Sequence, residues 1–138
     1  MRLSSFLITF LIALPLPAQP PAASEKAGRT PAQQKINSQI LYEIYRARGE
    51  AAKKGVPPDP TGVKIDARGR ALVDIRADPT PALQQKLKRL GGIVLATSAR
   101  DKSIIARIPV LKLETLAADR AVLFIEPAAE AITVRQPV

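Results

Sequence analysis

Hydrophobic and polar positions divide the chain into stretches of different period. Residues 1–18 begin Met1-Arg2, continue as an apolar run from Leu3 to Leu16 and end in Pro17-Ala18. A short basic start, an apolar stretch and a small residue after it have the anatomy of a secretory signal peptide. Cleavage is expected after Ala18, with Ala22 and Ala23 as alternatives. Pro15 and Pro17 interrupt the run, which is too short for the ~20 residues of a membrane span. Residues 19–30 are Pro, Ala, Ser and charge without periodicity, which predicts a disordered lead. Thr30-Pro31 then offers an N-cap and a proline at the first helical position. Ile36, Ile40, Leu41, Ile44 and Tyr45 recur on one helical face, predicting an amphipathic helix over 31–54, with Lys53-Lys54 in its last turn and Gly55 closing it. Pro57, Pro58 and Pro60 make 55–62 a linker.

From residue 63 onward the period shifts. Val63–Asp66 and Ala71–Arg76 alternate apolar and polar around a turn at 67–70, predicting a hairpin. Thr80 and Pro81 open a helix with Leu83, Leu87 and Leu90 on one face, closed by Gly91-Gly92. Ile93–Ser98 and Ser103–Ile108 read as strands around a polar turn. Pro109 opens a second helix through Val110, Leu113, Leu116 and Ala117, and Ala121–Ile125 is the last strand, stopped by Pro127. Strand–helix–strand–strand–helix–strand predicts an α+β fold over 63–127. It is a ferredoxin-like β-α-β-β-α-β plait, an antiparallel four-stranded sheet with two helices on one face, plus the N-terminal helix. Residues 128–138 are expected to form an extended tail. Val73, Ile75, Ile104, Ala106 and Ile108 are expected to face the helices. Leu72, Asp74, Arg76, Ile105 and Arg107 then fall on the open face. The second and fourth strands are apolar on both sides (Val94 and Leu95; Leu123, Phe124 and Ile125) and add to that face. A monomer rarely leaves an apolar patch of roughly several hundred Å² in water. Either the 31–54 helix folds back over it or an external partner covers it.

Composition narrows the chemistry. The 138 residues contain no Cys and no His, so thiolate metal sites, disulfides, a Cys nucleophile and a Ser–His–Asp triad are excluded. The Asp residues at 59, 66, 74, 78, 101 and 119 are scattered without calcium-loop spacing. No cofactor, metal or catalytic residue is expected, and the chain reads as a non-enzyme. Lys and Arg number 21 against 12 Asp and Glu, a net charge of +9. The charges are dispersed, which suits a solvated basic surface better than a polyanion-binding tract. RNA-binding modules of the same topology stack bases on two or three sheet aromatics, whereas Phe124 stands alone here. Nucleic acid is therefore not an expected partner, nor is a membrane after signal cleavage. Oligomeric state is open.

ALVDIRA (71–77), LQQKLKRLGGIVLATSA (83–99), SIIARIPVLKLETLAAD (103–119) and AVLFIEPAAEAITV (121–134) together resemble the propeptide, or inhibitor, domain of subtilisin-like serine proteases. The version it is similar to occurs in large secreted bacterial proteins, where KINSQILYEIYRARGE (35–50) also has a counterpart. The resemblance implies a folding assistant and inhibitor. In that family the open sheet face docks on surface helices of the protease, and the tail enters the active-site cleft as a product would. Carried over from the resemblance, the tail contacts are Ile132, Thr133, Val134 and Arg135; the strand alternation independently offers Leu72, Arg76, Ile105 and Arg107 as the face contacts. Extended, β-branched Thr133-Val134 suits strand addition to a cleft edge. The expected partner is a subtilisin-like protease, met in trans because no protease follows in this chain, or in cis if the chain is a truncated precursor. The expected location is secreted or periplasmic. The competing expectation is a secreted structural or interaction scaffold with no protease partner.

Overall fold

The computed structural model describes residues 22–129; the expected signal peptide (1–18) and the tail residues Ile132, Thr133, Val134 and Arg135 lie outside them. Three helices come first: α1 (Ala22–Ala27), α2 (Pro31–Gln34) and α3 (Ser38–Ala47). The single helix expected over 31–54 is therefore interrupted. Thr30 caps α2 reciprocally, its hydroxyl accepting from the Gln33 N–H while Gln33 Oε1 accepts from the Thr30 N–H. The chain then extends through Lys35–Asn37, where Ile36 bridges Ile125 in parallel. Asn37 Oδ1 accepts from the Gln39 N–H at 2.9 Å and starts α3. Gly49, at φ +72°, stops α3 well short of Gly55. There the Glu50 N–H donates to the Tyr45 carbonyl and the Gly49 N–H to that of Arg46, a Schellman closure that favours glycine. The lead expected to be disordered over 19–30 contains α1. Arg29 grips Glu25 through two bonds of 2.9 and 2.8 Å, and the Tyr45 hydroxyl donates to the same carboxylate at 3.1 Å. Tertiary polar contacts order a segment that has no apolar period of its own.

The sheet follows: β1 (Arg70–Arg76), α4 (Pro81–Arg89), β2 (Ile93–Ser98), β3 (Ser103–Pro109), a 3-10 turn over Val110–Lys112, α5 (Leu113–Ala117) and β4 (Phe124–Pro127). The chain is thus α+β with a four-stranded, open, antiparallel sheet in the order β2-β3-β1-β4. The Thr80 hydroxyl accepts from the Leu83 N–H, and α4 buries Leu83 and Leu87 as its spacing predicts. Three expectations shift. The hairpin before β1 contracts to one bridge, Ile65 to Ala71. The Asp66 carboxylate gathers the N–H groups of Arg68 and Arg70 and the Arg70 Nε, winding the chain into a turn. The helix after Pro109 is a 3-10 turn followed by a short α5, although Val110, Leu113, Leu116 and Ala117 are all buried. The last strand starts at Phe124 rather than Ala121, because Asp119 accepts the N–H of Ala121 on its side chain and that of Val122 on its carbonyl. Its final residue, Pro127, sits at the end of an edge strand, where the missing N–H is tolerated.

The core lies on one side of the sheet. Val73, Ile75, Ile104, Ala106 and Ile108 are fully buried, as their alternation predicts, and join Leu83, Leu87, Leu113, Leu116 and Ile125. Ile36, Ile40, Leu41, Ile44 and Tyr45 belong to the same cluster. α3 packs against the 3-10 turn and β4, and α2 against α5, so the N-terminal helices extend the helical layer instead of folding over the open face. Glu114 of α5 clamps them in place, accepting from Gln33 Nε2 at 2.8 Å and from Arg48 at 3.2 and 2.9 Å.

Candidate functional site

Strand register fixes what stands on the face away from the helices. Arg107 pairs across β3 with Ile93 on one side and Leu72 on the other. Ile105 lies between Ala96 and Asp74, and Asp74 pairs onward with Glu126. Ser103 lies between Ser98 and Arg76, which pairs with Phe124. A β-bulge between Val94 and Ala96 puts two β2 residues, Leu95 and Ala96, opposite Ile105. Leu95, two positions on from Ile93, is 51% exposed, with Ile93 at 44%. Ile93, Leu95 and the half-buried Ile105 form an apolar field beside the free edge of β2. That strand, Ile-Val-Leu-Ala-Thr-Ser, carries no charge, proline or lysine of the kind that blunts edges.

All four face residues expected from the sequence share this side, but they are not equivalent. Leu72 is only 6% exposed, so its role as a contact is corrected: the Lys64 carbonyl and the Ala128 N–H both bond its backbone, and the flanking chain shields it. Ile105 and Arg107 are half-buried and Arg76 is exposed. Arg76 donates to Glu126 at 3.1 and 2.9 Å and lies 3.8 Å from Asp74. Glu126 first, then Asp74, holds its guanidinium above the usual range. Asp74 also accepts from the Ser103 hydroxyl at 2.6 Å. Arg107 forms no ion pair among the described residues. The sequence placed Leu95 among the apolar residues that add to the open face, without naming it a partner contact, and did not name Ile93 there. The uncharged run of β2 marks both, and alternation from Ile93 puts Leu95 on the same surface, where the bulge adds Ala96 opposite Ile105.

A concavity of about 410 Å³ lies between α3 and the turn before β1, floored by Ile65, Pro109 and Leu111. Its carboxylate, Glu43, is taken up by Arg46 and the Thr61 hydroxyl. Arg46 is bound in turn to the carbonyls of Pro57 and Asp59. Among the described residues no cluster of acidic side chains could hold a metal ion, and no helix is long and apolar enough to cross a membrane. No family model, no curated protein and no solved structure matches the chain.

Proposed function

We propose that the chain is a secreted or periplasmic, non-enzymatic protein-binding module of the propeptide type, whose partner is a subtilisin-like serine protease. The strand order β2-β3-β1-β4, with α4 joining β1 to β2 and α5 joining β3 to β4, supports assigning the sheet to the ferredoxin-like plait. One observation carries the functional reading: Ile93, Leu95 and Ile105 stand on the face that every described helix leaves free. Exposed apolar field on an otherwise closed fold is the signature of an interaction surface. In this reading the face docks on the protease, and Ile132, Thr133, Val134 and Arg135 follow into its cleft as inhibitor or folding aid.

Inhibition by the full chain across a panel of subtilisin-like proteases tests the proposal. Leu95→Glu and Ile105→Glu, both at positions that are not fully buried, are expected to weaken inhibition at least tenfold without lowering the melting temperature comparably. A chain ending at Ala129 is expected to fold and to inhibit far less. Equal inhibition with and without the tail would remove the cleft mechanism. Inhibition of no panel member, with no effect on protease refolding, would leave a scaffold role.

A further inference from the structure

We infer that Arg107, and not Arg76, is the point at which the open sheet face receives a carboxylate from its protein partner. The inference rests on the reading of this face as a docking surface and adds the chemistry of what docks. The two arginines look equivalent in the sequence, one on each central strand and both pointing away from the helices. The structure separates them. Arg76 stands between Glu126 and Asp74, one cation against two carboxylates, and its Nε and one terminal nitrogen already donate to Glu126. A further acid from a partner would meet net negative charge there. Arg107 has Ile93 and Leu72 as its cross-strand neighbours and Ile105 two positions along the same strand. It is half-buried on apolar ground with no carboxylate to meet among the described residues.

A guanidinium in that setting discriminates between partners. Alone in water it is solvated and costs nothing. Covered by an apolar surface that lacks an acid, it becomes a buried, unpaired charge, which is strongly unfavourable. Covered by a surface that brings an Asp or Glu side chain ringed by apolar groups, it makes a bidentate, charge-assisted pair sheltered from water. Such a position rejects the wrong surface as much as it attracts the right one. The chain's net charge of +9 steers acidic surfaces toward it in the same sense.

Two measurements on the full chain test this. In the first, acetyl-Leu-Glu-Leu-amide and acetyl-Leu-Gln-Leu-amide are titrated separately and followed by NMR. The glutamate peptide is expected to shift the Arg107 Nε–H together with the Ile93 and Ile105 methyls, and the glutamine peptide to shift them several-fold less. The Arg76 Nε–H is expected to stay in place, and Arg107→Gln to abolish the difference between peptides. In the second, Arg107→Gln is expected to weaken inhibition of any protease the wild-type chain inhibits by at least tenfold, against less than twofold for Arg76→Gln. Melting temperatures confirm that both variants fold. If the two peptides act alike, or if Arg76 responds instead, the inference is overturned while docking through the apolar field stands. The same holds if inhibition survives Arg107→Gln unchanged. If no protease is inhibited but the glutamate peptide still selects Arg107, the named partner class fails and the carboxylate anchor stands.

Discussion

At the junction of α4 and β2, a single hydrogen atom decides whether the chain can pass. A Cβ on Gly92 would stand 2.8 Å from the Leu87 carbonyl and overlap the Ile108 side chain, and Gly91 before it adopts φ +85°. Gly92→Ala is expected to cost ~1–3 kcal/mol as an overpacking substitution. For a domain of this size that lowers the melting temperature by about 4–8 °C per kcal/mol, which calorimetry reads directly. Two other residues set the response to acid. Burial pushes the Glu25 carboxyl up, but Arg29 and the Tyr45 hydroxyl outweigh it and hold it below the ordinary range. Glu114 follows the same pattern, with burial opposed by Arg48 and Gln33. A folded-state pKa below the unfolded one means stability that is present above the unfolded value and lost as pH falls through the folded one. The urea midpoint is therefore expected to fall between about pH 5 and about pH 3. Glu114→Gln should begin lower at neutral pH and fall less steeply. An equally steep fall in that variant would remove Glu114 from the account. Burial and Glu25 push the Tyr45 hydroxyl to about 12, so it remains a donor throughout this range.

The N-terminal helices show how far local pattern reaches at the scale of an element. The face of α3 was legible in Ile40, Leu41, Ile44 and Tyr45, and each is buried. Ile36 has the same spacing, yet its backbone is extended and its burial comes from pairing with Ile125 across a long stretch of sequence. Helical periodicity cannot distinguish a side chain buried by its own helix from one buried by a distant strand. Truncating Ile44 to Ala is expected to cost ~2–5 kcal/mol, because it opens a cavity in the shared core. Asn37→Ala is expected to cost about 1 kcal/mol through the lost cap. Denaturant titration measures both, and a near-neutral Ile44→Ala would mean that α3 is only loosely attached. Interleaved polar residues limited the reading of the other elements. Asp66 and Asp119 capture neighbouring N–H groups and shorten a hairpin and a strand that apolar pattern alone would extend.

On the scale of the whole molecule, one cluster joins the sheet, α4, α5 and the N-terminal helices. Amides of α3, β1 and β3 are accordingly expected to exchange through the same global opening, with a single calorimetric transition. A separate early transition for residues 22–47 would show that the extension folds independently. The sequence by itself determined which side of each central strand is buried, because side-chain direction alternates with every residue and needs no knowledge of neighbours. It also determined the caps at Thr30 and Thr80 and the glycine stop after α4, which are local events within one turn of backbone. Only the tertiary structure decided where the N-terminal helices pack, which of two similar arginines is already paired, and that a bulge sets both Leu95 and Ala96 against Ile105. Each of these depends on residues distant in sequence meeting in space, and no period along the chain encodes that meeting.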